Sequence, residues 1–155
     1  MTTIVFDGKT LAVDTAMYSG NTYSGEVSKV REIELNGKKC LIAMCGEFAD
    51  FEPFISKITG GECSHDTSSS TFIVININNP SDYTVYEKDA PMQHPLPYCN
   101  GSGHQIAIGA IEAGADAVYA VKAACHRNAF TEYPIEVYRF KKKGGYKYSK
   151  IEKPA

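Results

Sequence analysis

The dipeptide Asn36-Gly37 constrains this chain more than any other feature, because it stands between two runs of strand character. A type I′ turn needs positive φ at both central residues, and Asn-Gly supplies that at little cost, so the pair is a strong hairpin signal. Residues 27–35 carry Val30, Ile33 and Leu35 in rough alternation, and residues 40–44 (CLIAM) form an unbroken apolar return strand. A continuous apolar run of that length predicts a strand buried on both faces. A chain of 155 residues is long enough for one domain with such a core and too short for two comfortable ones.

The rest of the chain is read around that hairpin. Residues 3–6 and 10–13 are β-branched and aromatic, and Asp7-Gly8 between them predicts a second hairpin with a type I′ turn. Residues 16–25, rich in Tyr, Ser, Gly and Asn, read as an irregular loop over the sheet. After Gly46 the period changes: Phe48, Phe51, Ile55 and Ile58 recur at helical spacing until Gly60-Gly61 stops them, with Pro53 near the start. The run GGECSHDTSS, residues 61–70, is expected to be a mobile loop. Strands come next at 71–77 and 83–87, then a proline-rich approach. A small-residue helix follows, with Ile106, Ala107, Ala110 and Ile111 on one stripe and Gly114 as its cap. Asp116 is the expected N-cap of a further helix carrying Val118, Val121 and Cys125. A last strand is read at 134–140, and residues 144–155 as a polar tail beyond a single domain of residues 1–143. Strands, helix, strands, two helices and a strand suggest antiparallel sheets with helices outside them.

Composition narrows the function. With 43% hydrophobic and 22% charged residues the chain is neither disordered nor membrane-like, and a net charge of -2 argues against nucleic acid as the main partner. No apolar stretch is long enough to span a membrane, and no basic region followed by an apolar run opens the sequence, so a cytoplasmic location is expected. Five scattered cysteines favour free thiols over a disulfide framework. Cys63/His65 and Cys125/His126 lack zinc-ligand spacing, so no metal is expected.

TTIVFDGKTLAVDT, EVSKVREI, MCGEFAD, GSGHQIAIGAIEAGAD and HRNAFTEYPIEVYRF, in that order, resemble segments of proteasome β-subunits and of the bacterial HslV peptidase, as a short member of that N-terminal nucleophile hydrolase group. TTIVFDGKTLAVDT, with Thr2 directly after Met1, is similar to the mature start of those chains. EVSKVREI resembles the stretch in which a lysine before a valine joins the active site, here Lys29. MCGEFAD resembles the A-G-x-x-A-D element, which aligns Gly46. GSGHQIAIGAIEAGAD resembles the G-S-G turn and its helix, which aligns Ser102. HRNAFTEYPIEVYRF resembles the R-D-A-Y-S-G-G segment and terminal strand, with Asn128 and Thr131 where the family has aspartate and serine, and Glu132-Tyr133 in place of two glycines.

The resemblance implies an α+β fold: a four-layer αββα sandwich of two antiparallel sheets with helices outside, of the N-terminal nucleophile hydrolase type. One helical layer would be reduced, because the second long helix after Ile58 has no counterpart here. It implies a threonine peptidase acting on peptide or unfolded protein substrates inside a homo-oligomeric ring, with Thr2, Asp14, Lys29, Gly46 and Ser102 catalytic, Asn128 and Thr131 supporting, and Tyr18, Val27, Met44 and Phe48 lining the substrate cleft. An ATPase unfoldase is a weaker expectation, since the missing helix is on the side that would face it.

Residue chemistry supports those roles independently. A threonine hydroxyl needs a base within reach, and an amino-terminal threonine carries one in its α-amino group, whose ordinary pKa of about 7.7–8.0 leaves part of it neutral near pH 7. A lysine ammonium nearby would lower that pKa, and an aspartate would keep the lysine charged and oriented. The Gly46 N–H, at a strand-to-helix turn with no side chain in the way, suits a developing oxyanion. No cofactor is required. His65, His94, His104 and His126 lack a matching acid or nucleophile and read as structural or surface groups. Cys45, at the end of a buried strand, reads as packing. The alternative is a catalytically silent proteasome-like assembly or binding module in which Met1 is retained.

Overall fold

The computed structural model describes residues 2–155. The first half of the chain forms β1 (Thr3–Phe6), β2 (Thr10–Asp14), β3 (Ala16–Ser19), β4 (Thr22–Glu26), β5 (Val30–Leu35) and β6 (Lys38–Cys45), then a 3-10 turn at Phe48–Asp50 that runs into α1 (Phe51–Ile58). The second half forms β7 (Thr71–Asn76), β8 (Tyr83–Glu87), β9 (Ala90–Met92), β10 (Tyr98–Gly101), α2 (His104–Glu112), α3 (Ala117–Arg127), β11 (Ile135–Phe140) and β12 (Tyr146–Ile151). Asn36 and Gly37 take φ of 52° and 76° between β5 and β6, as a type I′ turn requires.

Two five-stranded antiparallel sheets result, ordered β10-β1-β2-β11-β12 and β5-β6-β7-β8-β9, with β3-β4 as a separate two-stranded ribbon. Alternation along β6 explains its apolar run. Leu41 and Ala43 face the first sheet, beside Ile4, Phe6, Leu11 and Val13. Cys40, Ile42 and Met44 face the other way, toward Phe51 and Phe54 of α1. There the Phe54 and Phe72 rings stack at 3.8 Å with an interplanar angle of 3°. Each fully buried side chain of this kind contributes about 1.5–3 kcal/mol. On the far face of the first sheet, α2 and α3 pack Ala107, Ala117, Ala120 and Val121 against Val5, Ala12, Ile135 and Val137.

The expected four-layer αββα sandwich is not what forms. Among the described residues the chain is mostly β, with three α-helices and three sheets. A helical layer on the outer face of the second sheet would need more than α1, which has eight residues. Behind α1 come Thr59-Gly60-Gly61 and then Ser, Thr and Asp residues, which favour turns and caps over helix interiors. Residues 61–70 are not simply a solvated loop either: Thr67 and Ser70 are buried.

Two further readings differ. Residues 16–25, expected as irregular, form most of the β3-β4 ribbon, whose exposed Thr22–Glu26 strand shows no apolar alternation. The expected polar tail contains β12, which pairs with β11 from Ile135↔Ile151 to Phe140↔Tyr146. An edge strand that carries lysine is a common way to discourage further pairing, and it reads as a tail when only polarity is considered. Among the described residues, no helix is long and apolar enough to cross a membrane.

The topology gathers several chain ends at one place. Thr2 precedes β1 and Asp14 closes β2, and the antiparallel register pairs Ile4 with Val13. Lys29 precedes β5 and Gly46 follows β6, with Val30 opposite Ala43. Gly101 lies opposite Thr3, and Ile135 opposite Asp14.

Candidate active site

At this shared end lies a cleft of about 500 Å³, lined by Thr2, Lys29 and Gly46 together with Tyr18, Val27, Met44 and Phe48. Thr2 is 2% exposed. Met1, whose removal the expected peptidase reading requires, lies outside the described residues.

Asp14 organises the buried side of the site. Its Oδ1 accepts the Thr3 N–H and the Lys29 ammonium, each at 2.9 Å. Its Oδ2 accepts the Glu132 N–H at 3.2 Å and the Ala16 N–H at 3.4 Å. One carboxylate thereby ties together the start of β1, the approach to β5, the start of β3 and the segment before β11. Burial pushes the Asp14 carboxyl above its ordinary value, against the pull of Lys29 and of the Thr3 and Glu132 N–H groups. Lys29 is almost fully buried and is also fixed through its backbone, its carbonyl accepting the Met44 N–H at 3.0 Å.

On the other side of Thr2 runs a chain of neutral hydrogen bonds. Ser102 Oγ lies 3.5 Å from the Thr2 carbonyl and 3.1 Å from Asn128 Oδ1, and can donate to either. Asn128 Oδ1 also accepts the Thr131 hydroxyl at 2.9 Å and the Phe130 N–H at 3.0 Å. Thr131 Oγ1 is 2.7 Å from Thr3 Oγ1. Asn128 therefore serves as an acceptor where the resembled segment has aspartate. Its Nδ2 meanwhile donates to the Ser102 carbonyl at 3.1 Å, which a carboxylate could not do.

The turn at Gly46 is set by its backbone. Gly46 runs at φ 127°, a conformation that side-chain-bearing residues rarely adopt, and a Cβ there would lie 2.5 Å from Ser70 Oγ. Tyr18 fixes the β3-β4 ribbon over the cleft. Its hydroxyl donates to the Ala129 carbonyl at 2.9 Å, and its ring meets Tyr23 and Phe130 edge-on.

Sequence reading assigned no role to Ser70 or Asp50 and took His65 only as a structural or surface group. Ser70 donates to Asp50 Oδ2 at 2.6 Å, and His65 Nε2 lies 2.7 Å from Asp50 Oδ1. Asp50 closes the MCGEFAD motif, which was the one available signal; a serine and a histidine in a polar loop gave none.

Neither a protein-family model nor a curated protein matches the sequence. Among solved structures, the chain is similar to an Anbu (Gly-1) mutant from Hyphomicrobium sp. strain MC1, with a TM-score of 0.74 and 11% identity. The match covers 98% of this chain and 88% of that one. Identity that low carries the fold alone. The resemblance to proteasome β-subunits and HslV is corrected accordingly. One solved structure this chain is similar to is an Anbu mutant, and no family model matches the chain. The quoted segments are short, and most of the β3-β4 ribbon, α1, β7 to β9 and most of α3 lie between them.

Proposed function

We propose that this chain is a threonine peptidase whose nucleophile is the Thr2 hydroxyl, exposed when Met1 is removed. One juxtaposition supports the reading above all others. Thr2, Lys29 and Gly46 line a single cleft, and the Asp14 carboxylate holds both the Lys29 ammonium and the backbone N–H that follows Thr2.

The chemistry proceeds from those positions. Thr2 Oγ attacks the substrate carbonyl carbon as its proton passes to the Thr2 α-amino group, directly or through water. The Lys29 ammonium favours the neutral amine by like-charge repulsion, and Asp14 holds Lys29 in place. Negative charge developing on the carbonyl oxygen meets the Gly46 N–H. The tetrahedral intermediate collapses as the ammonium returns its proton to the leaving amine nitrogen, which leaves an ester on Thr2. Water, deprotonated by the same amine, then hydrolyses that ester. No cofactor enters either half.

Val27, Met44, Phe48 and Ala49 give the cleft an apolar wall, so we read the preferred residue before the scissile bond as apolar and the substrates as peptides or unfolded chains. The subunit is read as part of a homo-oligomer, with Ile108 of α2 and Tyr119 of α3 exposed on its helical face. Light scattering tests that assembly.

Activity is tested with fluorogenic peptides carrying an apolar, basic or acidic residue before the bond. Wild type is expected to cleave the apolar peptide best, and Thr2→Ala to cleave none. Undiminished cleavage by Thr2→Ala rejects the assignment, and a wild-type protein that retains Met1 and cleaves nothing supports the silent assembly or binding module instead.

A further inference from the structure

The turn after Gly46 is held by a buried polar ring to which the peptidase chemistry above gives no role. Ser70 packs directly on Gly46: a Cβ built on the glycine would lie 2.9 Å from Ser70 Cα as well as 2.5 Å from its Oγ. The Ser70 hydroxyl accepts the Glu47 N–H at 3.0 Å and donates to Asp50 Oδ2 at 2.6 Å. The Asp50 N–H in turn donates to the Glu47 carbonyl at 2.9 Å. Glu47 is therefore held by Ser70 through its N–H and by Asp50 through its carbonyl, while Ser70 and Asp50 hold each other. His65 anchors the second Asp50 oxygen from outside.

The arrangement is unsuited to hydrolysis by Ser70. A serine nucleophile must face a base and a substrate; this hydroxyl is 1% exposed and already donates to a carboxylate, with the imidazole on the far oxygen. Nor does packing require it, since buried polar groups cost stability unless fully bonded. What the ring does fix is backbone direction. On one side of Gly46, Cys45 is paired with Thr71, the neighbour of Ser70. On the other side, the Gly46–Glu47 peptide plane is pinned by Ser70. The glycine is clamped at both ends.

We infer that Ser70 and Asp50 are positioning residues for the oxyanion donor, setting the direction in which the Gly46 N–H meets the substrate carbonyl. The inference rests on the Thr2 peptidase reading. A hydrogen bond weakens steeply as its angle closes, so loosening the clamp impairs the charged intermediate far more than substrate binding. Burial alone would raise the Asp50 carboxyl. Hydrogen bonds from Ser70, His65 and Ser69 outweigh it and hold the group below its ordinary value, so Asp50 accepts as an anion.

The test uses the full-length protein and two covalent probes of Thr2: a peptide boronate, whose adduct places an oxygen where the oxyanion forms, and a peptide vinyl sulfone, whose addition makes no tetrahedral oxyanion. Ser70→Ala is expected to lower kcat about 10- to 100-fold with KM within about twofold. Boronate affinity should fall by a similar factor, while vinyl sulfone labelling of Thr2 stays within about twofold of wild type. Asp50→Asn keeps an oxygen that can accept the Ser70 hydroxyl, so it should lose less, and it keeps the inference testable if Ser70→Ala folds poorly. Equal losses with both probes, or an unchanged kcat in both variants, would overturn the positioning role. Failure of either probe to label wild-type Thr2 would overturn the peptidase reading, and this inference with it.

Discussion

The Lys29 ammonium donates to Asp14 Oδ1 at 2.9 Å, and the two side chains are 5% and 0% exposed. Breaking a buried pair by removing one partner leaves an uncompensated charge and typically costs about 3–5 kcal/mol. Replacing both partners with neutral groups avoids that cost. Lys29→Met should therefore lower the melting temperature sharply, and Asp14→Asn combined with Lys29→Met should recover most of it. Peptide cleavage should be absent from both variants, because the proposed chemistry needs the Lys29 ammonium and neither variant has it. Calorimetry with activity assays on the same preparations checks this; turnover returning along with stability would show that the pair is structural only.

Asp14 and Asp50 should leave opposite marks on stability against pH. Burial raises the Asp14 carboxyl in the folded protein. Its stabilising contribution is thus fully present below its unfolded pKa and is lost as pH rises through the folded one. Asp50 is held below its ordinary value by Ser70, His65 and Ser69, despite burial. Its contribution is present above the unfolded pKa and is lost as pH falls through the folded one. Thermal unfolding followed by circular dichroism, taken upward in pH from the ordinary carboxylate value of about 3.9 for Asp14 and downward from it for Asp50, reads each effect. On acidification, wild type should gain on Asp14→Asn and lose ground to Asp50→Asn. A change of the same sign in both comparisons would contradict the two environments.

In the proposed chemistry Cys45, next to Gly46, borders the site without being its nucleophile. Burial pushes its thiol above the ordinary value, as it does Cys99, to about 11, and Cys125, to about 12. The reactive thiolate is therefore scarce near pH 7.5. Turnover should resist iodoacetamide, and Cys45→Ala should keep activity within about twofold. Inactivation by alkylation that Cys45→Ala abolishes would move the chemistry to the thiol.

How much of this was legible in the sequence depended on whether the information was local. The turn pair Asn36-Gly37 and the apolar run at β6 announced a hairpin whose open end brings Lys29 near Gly46, and the Asp7-Gly8 turn did the same for Thr2 and Asp14. Ser70 and Asp50 were not legible as a pair. They are twenty residues apart and meet only because β7 returns beside β6. The β3-β4 ribbon escaped notice because Thr22–Glu26 is exposed and has no apolar face to alternate. In β12, tyrosines and an isoleucine are spaced among lysines and a serine, so polarity masked the pairing. The end of α1 was legible from Gly60-Gly61 and the polar run behind it. That the chain would be mostly β rather than a four-layer sandwich was not, because family likeness was weighed above the shortness of α1.

The central claim turns on one atom, the α-nitrogen of Thr2. Intact mass and amino-terminal sequencing of peptide-cleaving protein purified from its native cells measure its state directly. The account predicts that Thr2 is the first residue of the active species. Full cleavage activity in protein where Met1 still precedes Thr2 would contradict it, since the base would then be locked in a peptide bond.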